Sequence, residues 1–71
     1  MMMPLIMATV GEENSIKKVG GREETRLFLA KLGFIPGTFV TIITQISGNV
    51  IVSIKESRIA ISREMAAKIM V

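Results

Sequence analysis

Apolar residues recur along this chain with two different periods, and the change of period divides it into elements. Between Glu23 and Leu32, the residues Thr25, Phe28, Leu29 and Leu32 fall at spacings of three and four, while Glu23, Glu24 and Lys31 lie elsewhere around the circle. That spacing predicts one short amphipathic helix. Two acidic residues in its first turn and Lys31 in its last complement the helix dipole, and Gly33 follows where a left-handed residue commonly closes a helix. From Thr38 to Ile46 the chain is rich in Thr, Val, Ile and Phe and alternates as a strand does. Val40, Ile42 and Ile46 share one face, and Phe39, Thr41, Ile43 and Gln45 share the other. Ser47-Gly48-Asn49 reverses the chain, Val50, Val52 and Ile54 share a face of the next strand, Lys55-Glu56-Ser57 makes another tight connection, and Ile59 and Ile61 share a face in a third. The three strands predict a meander.

The flanking segments add to it. Gly11-Glu12-Glu13-Asn14 reads as a polar turn, Ser15 to Val19 as a strand, and Gly20-Gly21 as the turn from that strand into the helix. After the helix, Phe34-Ile35-Pro36-Gly37 carries the Pro-Gly pair that a type II turn prefers, because Pro presets one dihedral and Gly accepts a positive φ. Ser62 is an N-cap for a helical turn over residues 63–67, and Ile69-Met70-Val71 supplies a last short strand. About five short strands cannot form two packed sheets of useful size in so small a chain. The expected fold is mainly β: a strongly bent sheet closing into a small barrel, with one short α-helix between the first two strands and a helical turn before the last. The helix is expected to cover an open end or edge of that barrel, burying Phe28, Leu29 and Leu32.

Composition narrows the chemistry. The chain has 71 residues, enough for one domain spanning residues 1–71 and too few for a catalytic cleft between lobes. With no Cys and no His it has no disulfide, no thiol nucleophile, no imidazole base and no zinc finger, which removes most hydrolytic, redox and metal-catalytic mechanisms and points away from an enzyme. The net charge of +3 comes from basic residues scattered between Lys17 and Lys68, with Lys17-Lys18 the single adjacent pair, the distribution of a solvated surface. The longest apolar stretch, Met1 to Val10, is interrupted by Pro4 and Thr9 and falls far short of the roughly 20 residues a spanning helix needs. It lacks a basic leading segment, so it does not read as a signal peptide, and the expected location is the cytoplasm.

The order of strand, Gly-Gly, short helix and then Arg26-Leu27-Phe28-Leu29-Ala30-Lys31-Leu32-Gly33-Phe34-Ile35-Pro36-Gly37 closely resembles the central signature of the ferrous iron transport protein A (FeoA) family. The resemblance covers nearly the whole chain: Met3-Pro4-Leu5 and Gly11 upstream, then Val40-Thr41-Ile42, the Gly48-Asn49 turn, Ile59-Ala60-Ile61 and the closing segment with Ala66, Ile69 and Val71. Its specific part is Leu32-Gly33-Phe34-Ile35-Pro36-Gly37, in which Leu32, Gly33, Pro36 and Gly37 form the structural signature. The sequence departs from the common pattern in the turn before Val50, which has no Pro, and in two Met residues ahead of Met3. The resemblance implies an SH3-like β-barrel. It implies, too, an accessory or regulatory role beside a membrane permease for ferrous iron whose cytosolic part is a G-protein-like GTPase domain. A similar domain forms the C-terminal part of some metal-dependent transcription repressors, which makes a stand-alone module of that kind one alternative.

Without His, a ferrous site would need Glu12, Glu13, Glu23, Glu24, Glu56 and Glu64, and adjacent Glu side chains point apart, so no metal site and no cofactor are expected. Met1, Met2, Met3 and Met7 resemble a soft-metal cluster but suit ordinary packing better. No phosphate-cradling loop is present, and Arg22, Arg26, Arg58 and Arg63 are ordinary surface candidates rather than a catalytic finger. A small nucleic-acid-binding barrel is the other alternative, motivated by the pI of 9.8. It is disfavoured because Trp and Tyr are absent and the three Phe residues are not set in a basic stripe, so no nucleic-acid partner is expected. Docking remains. The surplus apolar surface of the helix region, Leu27, Phe28, Leu29 and Lys31, with Phe34 in the following loop, is the expected partner surface, and Leu29 its leading residue. No insertion into the membrane is expected, and the oligomeric state is not legible.

Overall fold

A computed structural model of the chain describes residues 2–71. A 3-10 turn at Leu5–Met7 is followed by β1 (Glu13–Ser15), β2 (Lys18–Val19), α1 (Glu23–Lys31), β3 (Phe39–Ile46), β4 (Asn49–Ile54), β5 (Ser57–Ser62), α2 (Arg63–Ala66) and β6 (Ile69–Met70). The predicted meander is present: β3, β4 and β5 are antiparallel neighbours, and β1 joins the far side of β3 to give the order β1-β3-β4-β5. β2 and β6 form a second, two-stranded sheet.

The segment read as one strand, Ser15 to Val19, serves both sheets and breaks between them. Glu13 to Ser15 pair with β3, Ile16 N–H donates to Thr38 C=O at 2.8 Å, and one residue later Lys17 N–H donates to Met70 C=O at 2.8 Å. The chain thus passes from the edge of β3 to the edge of β6 within two residues, giving six strands where about five were expected. The ladder does not run unbroken round a barrel; two bent sheets close over a shared core in an SH3-like arrangement. The last strand also holds the N-terminal segment, since Met3 and Val71 exchange backbone hydrogen bonds of 2.9 and 2.8 Å and Pro4 bridges to Met70.

One face assignment is corrected. The register between β3 and β4 shifts between Ile42 and Thr44, so the strand carries an extra residue there. Beyond such a bulge every side chain changes face. Val40 and Ile42 point into the core as expected, but Ile46 lies 56% exposed on the outer face. The core runs from Leu5 to Val71, and among the described residues no polar or charged side chain is buried in it.

α1 ends in a way that explains the Leu-Gly-Phe part of the signature. Leu32 is the C-cap, Gly33 takes φ 104°, Gly33 N–H donates to Ala30 C=O at 3.0 Å, and Phe34 N–H donates to Leu29 C=O at 2.9 Å. These are the paired bonds of a Schellman motif, which calls for a left-handed residue at Gly33 and an apolar residue after it that packs back toward the last helical turn. Phe34 and Leu29 both lie in the core cluster. The Pro-Gly turn follows at once: Thr38 N–H donates to Ile35 C=O at 3.1 Å and Gly37 has φ 93°, the type II geometry expected. Gly37 N–H then donates to Ile16 C=O at 2.8 Å, tying the turn to the break between β1 and β2. Ser62 caps α2, its hydroxyl accepting from Met65 N–H at 3.2 Å.

Candidate functional site

Of the nine residues of α1, Leu29 alone is buried. Successive helical residues are about 100° apart, so the direction in which Leu29 points fixes where the others go. Lys31, about 160° from Leu29 around the axis, faces away from the core, with Leu27 and Phe28 on either side of it. Leu27 is 57% exposed, Phe28 is 47% exposed, and Lys31 is exposed. Glu24 falls on the same arc one turn earlier, so the outer face presents an acid and a base between two apolar side chains.

This divides the expected partner residues. Leu27, Phe28 and Lys31 stand together on an accessible face. Leu29 and Phe34 do not belong with them: they are 0% and 1% exposed, and both are core residues. Leu29, the leading candidate from the sequence, is the anchor that holds the helix on the sheet. Phe28, expected in the core, is instead half exposed, and Leu32 is half-buried against the core cluster. Sequence reasoning missed Ile35, which is 42% exposed on the Pro-Gly turn. The signal was its neighbour: once Phe34 is committed inward as the residue after the helix-ending glycine, Ile35 must turn outward.

A second surface feature lies on the outer side of β1, β3 and β4. An open groove of about 370 Å³ is lined by Glu13, Gly37, Thr38, Phe39, Thr41, Ser53 and Lys55. Phe39 is 57% exposed there, while Ile43 and Ile51 are half-buried. The groove offers hydroxyls, one aromatic ring, one carboxylate and one ammonium. Among the described residues no three acidic side chains come together. Arg22, Arg26, Arg58 and Arg63 are exposed, and the Arg63 guanidinium donates to Gln45 Oε1 at 2.8 Å. Of the methionine cluster, Met1 lies outside the described residues; Met2, Met3 and Met7 are exposed, and the backbone of Met3 pairs with Val71. Among the described residues no helix is long and apolar enough to cross a membrane.

The FeoA domain model matches residues 3–71. A Methanocaldococcus jannaschii protein provisionally named Fe(2+) transport protein A is 40% identical over 70 residues, an alignment covering 99% of this chain and 85% of the relative. Among solved structures, the crystal structure of an iron uptake regulatory protein, FeoA, superposes with a TM-score of 0.88 at 25% identity, over 99% of this chain and 95% of the other. A manganese-dependent transcriptional repressor superposes with a TM-score of 0.86 at 14% identity through 40% of its own length, a likeness of fold alone. With the domain model spanning residues 3–71 and the archaeal relative aligned along nearly all of it, the chain belongs to the FeoA family.

Proposed function

We propose that this chain is a non-enzymatic accessory or regulatory protein of ferrous iron uptake. It acts in the cytoplasm by docking on the G-protein-like domain of the membrane Fe(II) permease, through the outer face of α1. Family membership supplies the transport setting, and the names of the relatives, Fe(2+) transport protein A and iron uptake regulatory protein, agree with it. The observation that carries the docking reading is the exposure of Leu27 and Phe28, adjacent on a helix whose single buried residue is Leu29. Interfaces draw most of their affinity from a few apolar or aromatic side chains that become fully desolvated, with charged residues at the rim. Leu27 and Phe28 supply the apolar side chains of such a patch, and Glu24 and Lys31 its charges.

The test is binding of the purified permease G domain, with GTP turnover measured in parallel. Wild-type protein binds and changes turnover, and a Leu27→Ser, Phe28→Ser double variant with unchanged circular dichroism loses both effects. No binding and no change in turnover at about tens of micromolar, where weak signalling contacts still register, would remove the proposal.

A stand-alone relative of the repressor module has one observation in its favour, the shared fold with the manganese-dependent repressor. It predicts binding to a DNA-binding protein encoded nearby rather than to a permease. The nucleic-acid reading is weakened further: Phe34 is buried, and the exposed rings of Phe28 and Phe39 sit on separate elements. They offer no run of rings on which successive bases could stack.

A further inference from the structure

No residue of α1 lines the groove on the outer side of β1, β3 and β4, and the charges of that groove are ordered. Glu13, Thr41 and Ser53 stand opposite one another across the three strands, and because Val40 pairs with Ile54, Phe39 and Lys55 come level two residues further along. Side chains directly opposite, or two apart along a strand, share a face. A carboxylate therefore stands on one bank and an ammonium diagonally across on the other, with Phe39 and Thr41 between them and the Thr38 and Ser53 hydroxyls beside. At about 4.8 Å between strands and about 3.3 Å per residue, the Glu13 and Lys55 backbones are roughly 12 Å apart. Among the described residues, side-chain hydrogen bonds involve Asn14, Gln45, Ser62 and Arg63, and none of them engages either charge. Exposed Glu12 adjoins Glu13, and exposed Arg58 stands opposite Ser53, diagonal to Lys55. Glu56, in the turn after Lys55, opposes that end in sign but does not line the groove. Lys55 also holds φ 55°, a left-handed conformation that disfavours any side chain. Backbone strain of this kind gathers at binding sites, and here it sets a cation on the groove's rim.

We propose that the groove binds an extended peptide segment in which an acidic and a basic residue stand four apart, with an apolar residue midway. The two-residue period of an extended chain puts all three side chains on one face over about 13 Å, the acid at Lys55, the apolar residue on Phe39 and Thr41, and the base at Glu13. The groove selects such an occupant by its charges. A lone anion is repelled by Glu13, a lone cation by Lys55, and a free amino acid carries both charges on one carbon and cannot span the banks. The three hydroxyls each donate and accept, which matches the alternating N–H and C=O groups of an extended backbone, whereas a phosphate offers chiefly acceptors. Two solvent-exposed ion pairs and one apolar contact make a weak site, with a Kd of about 1 mM. Because the groove lies off α1, this binding stands or falls independently of docking on the permease.

The test is a titration of the isotopically labelled full chain with the capped peptide Gly-Asp-Ser-Leu-Ser-Lys-Gly up to about 10 mM, followed by amide chemical shifts. Saturable shifts should centre on Glu13, Thr38, Phe39, Thr41, Ser53 and Lys55. Glu13→Lys, with unchanged circular dichroism, should weaken binding about fivefold or more and should bind better a peptide carrying Glu in place of the Lys. Lys55→Gly, which relieves the backbone, should unfold later yet bind the original peptide more weakly. No shift at the highest concentration, shifts centred on α1, or undiminished binding in both variants would overturn the proposal. Equal shifts from inorganic phosphate, or from a peptide with Ser in place of both charged residues, would overturn it as well. So would shifts that grow with the concentration of the chain alone, because the occupant would then be a second copy.

Discussion

Leu27 and Leu29 stand two residues apart on α1 with opposite assignments, and truncating each in turn separates folding from docking. Leu29 is fully buried, so Leu29→Ala loses the transfer energy of the removed atoms and leaves a cavity in a core that relaxes only partly. The loss is about 2–5 kcal/mol. A chain of 71 residues has roughly 4–10 kcal/mol of total stability at about 0.05–0.15 kcal/mol per residue, so the variant forfeits a large share of it. The melting midpoint should fall by about 10 °C or more, at about 4–8 °C for each kcal/mol in a domain of this size. Leu27 is 57% exposed and has most of its side chain in water already. Full burial of Leu is worth about 1.5–3 kcal/mol, so the packing lost in Leu27→Ala is below about 1 kcal/mol, and the better helix propensity of Ala offsets part of it. Urea unfolding followed by circular dichroism gives both numbers, and titration with the permease G domain gives the affinities. Leu29→Ala should unfold early yet bind normally while folded, and Leu27→Ala should unfold like wild type yet bind about tenfold or more weakly. A Leu29→Ala cost below about 1 kcal/mol would refute the core assignment, because truncating a buried Leu to Ala in a packed interior costs at least about 2 kcal/mol. Unchanged affinity in Leu27→Ala would refute the docking face.

The other expectations concern backbone and chemistry. A Cβ added at Gly33 meets nothing nearer than Ile54 Cδ1 at 3.9 Å, so Gly33→Ala costs about 1–3 kcal/mol through its φ of 104° alone, and an unfolding midpoint equal to wild type would contradict the helix-ending geometry. Ser62→Ala should lose about 1 kcal/mol with the cap on Met65 N–H, while Ser62→Asp should keep nearly all of it in the same assay. Lys55 holds φ 55° in the two-residue turn between β4 and β5, so Lys55→Gly should raise stability by up to about 1 kcal/mol; a lower midpoint would show that the lysine stem contributes more than its backbone costs. Because no three acidic side chains gather among the described residues, anaerobic calorimetric titration of the isolated chain with Fe(II) should give no saturable one-to-one site, and a stoichiometric isotherm would overturn that expectation.

What was legible in the sequence is what local chemistry decides. The helix-ending glycine, the Pro-Gly turn, the serine cap and the meander each follow from a few neighbouring residues, and each is present. The parts that were not legible depend on partners distant in sequence. Alternation cannot reveal the bulge after Ile42, because Ile43 and Ile46 are apolar and suit either face until the register with β4 chooses. Nor can it show that the strand beginning near Ser15 changes sheets at Ile16, since both halves are extended and the difference lies in whether Thr38 or Met70 receives the hydrogen bond.

The rotation of α1 about its axis is not legible in the sequence for a related reason, and it sets the docking site. Thr25, Leu29 and Leu32 lie within about 60° of one another around the helix, whereas Phe28 lies about 100° from Leu29 toward the side of Leu27. The shared core accommodates the first arc: Leu29 is enclosed, and Thr25 and Leu32 are half-buried. It cannot also enclose a phenylalanine on the margin, because the helix would have to roll and lift Leu29 and the Schellman turn from their places. The apolar arc of the helix is therefore wider than the arc the core can cover. The overflow falls on Leu27 and Phe28, about 100° apart on the outer face, which with Glu24 and Lys31 between them around the axis make a mixed apolar and charged patch. Rotating the helix to hide that patch would cost the buried leucine, which ties the accessible surface to the anchor beneath it.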